Sequence, residues 1–468
     1  MPNPYLPPWE YIPDGEPRVF GDRIYIYGSH DKAGSDSFCD YVLKCWSAPV
    51  SDPGNWVCHG DIFRTRADGD RPADTSWTNE NHQLFAPDVV EKDGKYYLFC
   101  YIVNSKGCVA VSDRPEGPFK LLSQYVYNVS EEVTCNGWFI DPGVLVDDDG
   151  RMYMYCGFER SFMVELDPEK PWIIKDDSLI EHFIPCKETE EGGFNKKDRL
   201  FFEAASPRKL GSKGFELDFE LEEPYYMIYS PKRGSRLAYA TAKSPLGPWR
   251  YRGFLVDNGH EYPGGNDHGS IAKINGQWYV FYHRMTNGTI MSRRGCVEKI
   301  EILPNGDIVP ARMTSLGFSE ALNPYQITKA EIACVIKGGH DSIPDSHAMV
   351  TEKNVFERVI TNITDGTVIG YKYFDFGEDD SFDTMQFAVK YNGFGADAWL
   401  HVRADAEDGE EIGKVKIGHD NAVSETTVKK LTGRHAIYFT VSTDYSGWTA
   451  DYFKGRMLME LIEFVFMK

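Results

Sequence analysis

The hydrophobic positions of this chain form a pattern that repeats. Five segments each place a tight turn ahead of an aromatic-rich strand, roughly every 50 to 75 residues: FGDRIYIYGS (20–29), KDGKYYLFCY (92–101), DDGRMYMYCG (148–157), LEEPYYMIYS (221–230) and INGQWYVFYH (274–283). No helical period of 3.6 appears in the first 315 residues. Repeats of this length are typical of a β-propeller, in which each repeat is one antiparallel blade.

A second pattern follows three of these repeats. A Pro/Gly turn and an aromatic residue recur in WSAPVSDPGNW (46–56), VSDRPEGPFK (111–120) and AKSPLGPWRY (242–251). We interpret these segments as the connection to the outer strand of a blade. The alternative is an irregular β-sandwich whose strands resemble one another by coincidence.

The pattern changes after about residue 304. LPNGDIVPARMTSLGFSEALNPYQ closes the last repeat and is interpreted as a connection. Short alternating strands then follow, separated by turn signals: VIGYKYFDFG, DTMQFAVKYNG, AWLHVRADAEDGEEIGKVKIG, GRHAIYFTVS and MLMELIEFVF. They predict a compact β-sandwich. The chain is therefore expected to be all-β, with a propeller over 1–318 and a sandwich of jelly-roll type over 330–468.

Charge and composition narrow the possible partners. The 468 residues include 50 Lys and Arg against 71 Asp and Glu, a net charge of −21, so nucleic acid would be repelled. No segment reaches the roughly 18 apolar residues of a membrane helix, and no secretory signal opens the chain, so we expect a soluble, cytoplasmic protein without a membrane partner. The ten cysteines form no CxxC pair, which favours reduced, buried thiols over a zinc or redox role.

Three acids lie just ahead of, or at the start of, predicted blade strands: Asp14 in IPDGEP, Asp141 in WFIDPG and Glu203 in LFFEAAS. A carboxylate in such apolar surroundings must be partnered or have a shifted pKa, and this suits it to acid or base catalysis. The inner strands of a propeller converge on a central funnel, so these acids are predicted to meet there. Each alone is explained as well by capping a turn or pairing with an Arg, and Glu16 is a rival of Asp14.

Over about residues 2–315 these motifs resemble glycoside hydrolase family 43, inverting enzymes built on a five-bladed propeller. The resemblance rests on YIPDGEPRVFGDRIYIYGSHD, FAPDVVEKDGKYYLF, IDPGVLVDDDGRMYMYCG, FFEAASPRKL and GGNDHGSIAKINGQWYVFYHR. It implies that Asp14 is the general base, that Glu203 is the general acid, and that Asp141 orients the acid and raises its pKa. The family usually has Asp-Pro at the base, so Glu16, directly before Pro17, stays an alternative to Asp14.

The same resemblance implies further site residues. His268 would lie on the propeller axis and help to hold a cation or water, so a structural Ca²⁺ is expected, although the chemistry needs no cofactor. Arg284 would lie near the active site. Phe85 and Trp138 are candidates for stacking on sugar faces. His30 and Asp31, directly after the first strand, are placed to reach the same funnel or are turn residues.

The region from about 330 to 468 resembles a family 6 carbohydrate-binding module. Its last strand, MELIEFVF, lacks the Asn that the family usually carries there. We therefore expect this domain to support the propeller rather than to bind sugar.

The resemblance to family 43 implies an exo-acting enzyme that acts on oligosaccharides. The expected products are terminal α-L-arabinofuranose or β-D-xylose from plant-cell-wall fragments, with a β-galactosidase acting on galactan as a related alternative. A carbohydrate-binding protein that has lost catalysis is the alternative from another class. The sequence leaves the oligomeric state open.

Overall fold

The computed structural model describes residues 1–134, 138–338, 347–379 and 381–468. Five four-stranded antiparallel sheets come first, each with its strands in chain order. They are β1 (Glu16–Phe20), β2 (Arg23–Tyr27), β3 (Val42–Pro49) and β4 (Val57–Arg64); β5 (Leu84–Lys92), β6 (Lys95–Ile102), β7 (Cys108–Ser112) and β8 (Lys120–Gln124); β9 (Gly143–Val146), β10 (Met152–Cys156), β11 (Phe162–Leu166) and β12 (Ile180–Glu181); β13 (Phe201–Lys209), β14 (Tyr225–Pro231), β15 (Arg236–Ala242) and β16 (Arg250–Asp257); β17 (Ser270–Ile274), β18 (Gln277–Thr286), β19 (Thr289–Ile302) and β20 (Ile308–Val309).

The five aromatic repeats form the second strand of these five sheets, namely β2, β6, β10, β14 and β18. The three Pro/Gly segments connect the third strand to the fourth in the first, second and fourth sheets. Each sheet is one blade, with its first strand innermost. The predicted all-β propeller is therefore confirmed, because each repeat of the sequence is one blade of the structure.

Two sheets follow the propeller and pack face to face as a sandwich. One has the order β22 (Val335–Lys337), β25 (Val368–Asp375), β30 (Arg434–Ser442), β27 (Ala398–Ala404) and β28 (Glu411–Ile417). The other has the order β23 (Met349–Asn354), β24 (Glu357–Ile363), β31 (Met459–Met467), β26 (Thr384–Gly393) and β29 (Ala422–Lys429), with β21 (Thr328–Lys329) beside β31. Because β21 pairs with β31, we place it with the sandwich, slightly ahead of the expected boundary at residue 330.

The helices in the part of the chain that the structure describes are short. They are α1 (Glu131–Thr134), α2 (Trp448–Phe453) and three 3₁₀ turns at Glu191–Gly193, Lys197–Arg199 and Ala330–Ile332. None of the helices in the described ranges is long and apolar enough to span a membrane. The nine cysteines that the structure describes are all unpaired, as their scattered positions predict.

A buried ion pair joins the first three blades at the axis. The Arg18 guanidinium of β1 donates through Nε and Nη2 to both carboxylate oxygens of Asp88 in β5, at 3.0 and 2.6 Å. Asp88 also accepts the backbone N–H of Val144 in β9, and Arg18 donates to the carbonyl of the same residue. The inner strands of three blades are therefore held together by one charged group of each sign.

A second buried pair joins the fourth and fifth blades to the first. Arg208 of β13 donates through Nη2 to Glu16 at 2.7 Å and through Nε to the carbonyl of Ile271 in β17. Arg208 and Glu16 are 1% and 2% exposed. All five inner strands are thus joined around the axis by hydrogen bonds of paired charges.

Replacing Arg208 tests how much the fold depends on this pair. Arg208→Met leaves the buried Glu16 carboxylate without its cation, so we expect the free energy of unfolding in urea to fall by about 3–5 kcal/mol. Lys213→Met removes the same charge from an exposed position just after β13 and should change it by less than about 0.5 kcal/mol. Equal losses in the two variants would contradict a role of the pair in closing the propeller.

Candidate active site

Asp14 lies directly before β1 in a backbone conformation that is unusual for a non-glycine residue, with φ of 55°. Its side chain is buried, and both carboxylate oxygens accept hydrogen bonds. Ser29 Oγ donates to Oδ2 at 2.7 Å, and Arg293 Nη1 donates to Oδ1 at 2.7 Å. The carboxylate is thus fixed in place and paired with a cation.

Arg293 of β19 is itself rigidly held. Asp31 accepts Nε at 2.8 Å and Nη2 at 3.0 Å, together with the backbone N–H of Arg293. Burial opposes the ionisation of Asp14, but the charge of Arg293 and the hydrogen bond from Ser29 outweigh it and lower the Asp14 pKa. Sequence reasoning missed Arg293; the available signal was a pair of arginines, MSRRG, within a blade strand.

Asp141 and Glu203 form a second group of carboxyls. Asp141 precedes β9 with φ of 52°, and Glu203 lies at an irregularity of β13 where the next residue, Ala204, has φ of 67°. Burial, followed by the charges of Glu203 and Asp14, raises the pKa of Asp141 well above its usual range. Burial and the charge of Asp14 raise the pKa of Glu203 to about 7, against opposing effects of Arg293 and a hydrogen bond with Asn266.

The electrostatics therefore divide the three acids into two kinds. Asp14 is ionised at neutral pH because Arg293 stabilises its charge. Asp141 and Glu203 lie too close together for both to ionise readily, so this pair retains a proton near neutral pH. One site thus holds a carboxylate and a carboxylic acid at the same time.

His268 lies between the two groups. Its Nδ1 is 3.7 Å from Asp14 Oδ1 and 3.7 Å from Asp141 Oδ2. Burial lowers the His268 pKa, so the ring is neutral. The residue thus lies between Asp14 and the Asp141–Glu203 pair.

The expected Ca²⁺ does not fit these side chains. Calcium prefers six to eight oxygen ligands, whereas the Asp14 oxygens already bind Ser29 and Arg293. Among the residues that the structure describes, no group of three or more His, Cys, Asp or Glu is arranged to hold a metal ion. We therefore assign no protein ligand set to a cation at His268.

Phe85 lies beside the site. Its ring contacts Phe38 and Tyr101 at centroid distances of 6.4 and 5.8 Å, and Phe38 in turn lies against Arg293. The N–H of the next residue, Ala86, donates to Ser29 Oγ. Phe85 is therefore close to the carboxylates, and its ring is only partly buried.

The position of Trp138 differs from the expectation. Its ring is 3% exposed and packs against Phe139, Phe162 and Tyr127 in the core of the third blade. Aromatic neighbours cover the ring, so this side chain does not offer a face to a sugar. The run of apolar residues before Asp141 is explained by burial in the core as well as by a nearby site. For Trp138 burial in the core is the explanation.

The position of Arg284 also differs from the expectation. Its guanidinium is buried, donates to Tyr282 Oη and to the carbonyls of Thr314 and Ala333, and pairs with Glu298 at 3.4 Å instead of with any of the three acids. Successive side chains of a strand point to opposite faces. In β18 it is the preceding residue, His283, whose side chain faces Asp14, with Nδ1 3.5 Å from Oδ1.

The two residues directly after the first repeat, His30 and Asp31, have different partners. Asp31 supports Arg293 and through it Asp14, whereas the His30 ring lies between Glu10 and Asp40, at 3.2 and 3.5 Å, and contacts none of the three acids. Glu16, the rival of Asp14, is paired with Arg208 on the axis. The structure thus brings Asp14, and not Glu16, together with Asp141 and Glu203.

Known proteins resemble this chain over nearly its whole length. Residues 66–180 match the family model described as glycosyl hydrolases family 43. A xylosidase/arabinosidase of Thermoclostridium stercorarium is 35% identical over 483 residues, which cover 94% of this chain and 95% of the relative. The relationship therefore extends over both the propeller and the sandwich.

Solved structures show the same fold. An arabinoxylan arabinofuranohydrolase of family 43 from Bacillus subtilis superposes with a TM-score of 0.51 at 22% identity, over 100% of this chain and 97% of that protein. A family 43 β-xylosidase/α-arabinofuranosidase from a compost microbial metagenome has a TM-score of 0.52 at 27% identity, over 66% of this chain and 98% of its own. This chain therefore belongs to family 43 of the glycosyl hydrolases and is a glycoside hydrolase.

Proposed function

We propose that this enzyme is an inverting exo-glycosidase that releases terminal α-L-arabinofuranose or β-D-xylose from plant-cell-wall oligosaccharides. The observation that carries the proposal is the division of the site into an ionised Asp14 and an Asp141–Glu203 pair that holds a proton. The choice of sugars is supported by the names of the relatives, a xylosidase/arabinosidase and an arabinoxylan arabinofuranohydrolase.

The proposed reaction uses both kinds of carboxyl. Inversion needs an acid that protonates the leaving oxygen and a base on the opposite face of the sugar that activates water. Glu203 donates its proton to the glycosidic oxygen as the bond to the anomeric carbon breaks. Asp14 accepts a proton from the water molecule whose oxygen forms the new bond to that carbon.

The remaining residues keep each carboxyl in its working state. Arg293 keeps Asp14 ionised, and Asp31 keeps Arg293 in place. Asp141 disfavours the loss of a proton from Glu203, because two adjacent carboxylates repel each other. Phe85 is placed to contact the sugar with the exposed part of its ring.

The substrate class is tested with matched aryl glycosides. We expect kcat/KM to be measurable on the aryl α-L-arabinofuranoside, the β-D-xyloside or both, and the first product seen by NMR to have the inverted anomeric configuration. Turnover of only the aryl β-D-galactoside would favour the galactan-directed alternative. Absence of turnover on all three, with intact sugar binding, would favour a binding protein.

The role of Glu203 is tested by Glu203→Gln. Loss of a general acid lowers rates by about 10²–10⁴-fold, and we expect this loss in kcat on glycosides with poor leaving groups. The loss should be much smaller with a dinitrophenyl leaving group, which departs without protonation. Glu216→Gln, an exposed glutamate remote from the site, should have wild-type kinetics. A uniform loss on all leaving groups would remove Glu203 from the acid role.

The role of Asp141 is tested by the pH dependence of kcat/KM. A raised pKa means that the pair keeps its proton until the pH rises to about 7 or above, so activity should fall on that side. The lowered pKa of Asp14 places the acid limb below the usual titration range of an aspartate. Asp141→Asn removes the second carboxyl of the pair, whose charge opposes loss of the last proton, so the basic limb should move to lower pH. A basic limb that stays in place would contradict this role.

A further inference from the structure

His283 is a fully buried histidine whose side chain connects the fifth blade to the base. Its Nδ1 accepts the backbone N–H of Asp14 at 3.4 Å, and its Nε2 lies 3.1 Å from the carbonyl oxygen of Asn266. The ring therefore bridges the segment that precedes β1 and the loop that precedes β17. The same Nδ1 lies 3.5 Å from Asp14 Oδ1.

The partners assign the tautomer of this ring. A carbonyl oxygen only accepts, so Nε2 carries the hydrogen and donates it to Asn266. Nδ1 then has a free lone pair, which is what a backbone N–H requires of its acceptor. Burial, with the nearby charge of Arg293, lowers the pKa of His283 to about 3, and the ring is neutral at the pH values at which the enzyme would work.

The backbone of His283 is fixed as firmly as its ring. Its N–H donates to Asp267 Oδ1 at 3.3 Å, and its carbonyl accepts Asn258 Nδ2 at 2.6 Å. The pairing of β18 with β17 ends at Phe281, so these side chains satisfy backbone groups that the sheet no longer satisfies. The ring of His283 is therefore held in a fixed position relative to the fifth blade.

Asp14 depends on a fixed neighbour because its own backbone conformation is unfavourable. A non-glycine residue with φ of 55° stays in that conformation only when its surroundings hold it there. Arg293 and Ser29 hold the carboxylate, whereas His283 holds the backbone N–H. Without that acceptor the backbone is free to relax, and the carboxylate moves with it.

Asn266 extends the connection to the acid. Its carbonyl accepts from His283, and its side chain is close enough to Glu203 to lower the pKa of that carboxyl. One residue of this loop thus lies beside both the histidine that contacts Asp14 and the Glu203 carboxyl. A fixed separation of base and acid is what an inverting mechanism requires, because the water must fit between base and sugar.

We propose that His283 is a positioning residue that sets the place of the base, Asp14, relative to the acid, Glu203, through Asn266. This inference rests on the proposed function. A histidine that merely filled the core would need neither two directional contacts nor a defined tautomer.

Two variants separate the two ring nitrogens. In His283→Asn the amide oxygen takes the place of Nδ1 and keeps an acceptor for the Asp14 N–H. In His283→Gln the longer amide takes the place of Nε2 and keeps a donor for Asn266. Misplacing a reacting group by about 1 Å costs roughly 10²-fold in rate, so we expect about this loss in kcat for His283→Gln, with KM little changed, and at most about a tenfold loss for His283→Asn.

The dependence on the leaving group identifies the affected side of the site. A misplaced base slows all substrates alike, so the loss in His283→Gln should be the same for good and poor leaving groups. The loss in Glu203→Gln should instead grow as the leaving group becomes poorer. If Glu203→Gln keeps the wild-type kcat on substrates with poor leaving groups, the proposed function fails, independently of the results for the His283 variants.

A double-variant cycle tests whether His283 acts through Asp14. Once Asp14→Asn has removed the base, adding His283→Gln should cost no further rate, because both changes affect the same group. The proposal would be overturned if His283→Asn and His283→Gln lost kcat equally and in proportion to their drop in melting temperature. Additive losses of kcat in the cycle would overturn it as well.

A further variant covers the case in which His283→Gln does not fold. Asn258→Ala removes only the hydrogen bond to the His283 carbonyl. It should lower kcat several-fold with the same independence of the leaving group. Wild-type kcat in Asn258→Ala, or a loss that grows with poor leaving groups, would then overturn the proposal.

Discussion

The rest of this structure depends on the pairing of buried charges at the propeller axis. Arg18 with Asp88 and Arg208 with Glu16 place two cations and two anions where the inner strands meet. A buried charge is tolerated only when it is paired and hydrogen-bonded, so these strands must converge closely enough for their side chains to meet. The convergence brings the starts of β1, β9 and β13 together, and the three acids lie at those starts.

The backbone at the site is strained at three residues. Asp14, Asp141 and Ala204 all have positive φ, in segments where each chain enters or begins an inner strand. Such conformations are unfavourable and persist where surrounding contacts determine them. The rigid propeller supplies those contacts, so the carboxyls point into a common space instead of following the pleat of their strands.

The sequence predicted the fold in more detail than it predicted the site. Aromatic strands at a regular period identify the five blades, because each blade buries the same kind of second strand. The acids stood out because a carboxyl within an apolar run has a physical cost. The sequence indicates Arg284 and a stacking role for Trp138, and it does not single out Arg293, because the pairing of β18 with β19 and the faces of their side chains depend on long-range register that no local pattern contains.

One contact between residues far apart in the sequence, that of Arg293 with Asp14, determines which of the acids is ionised. Asp14 and Glu203 are both buried, and burial alone would raise both pKa values. Arg293 bonds directly to Asp14, while its charge acts on Glu203 only from a distance. Since Asp31 fixes this guanidinium through both Nε and Nη2, the structure determines which carboxyl is ionised before any substrate arrives. The proposed acid and the proposed base therefore differ because of where one cation is held, and not because of their own chemistry.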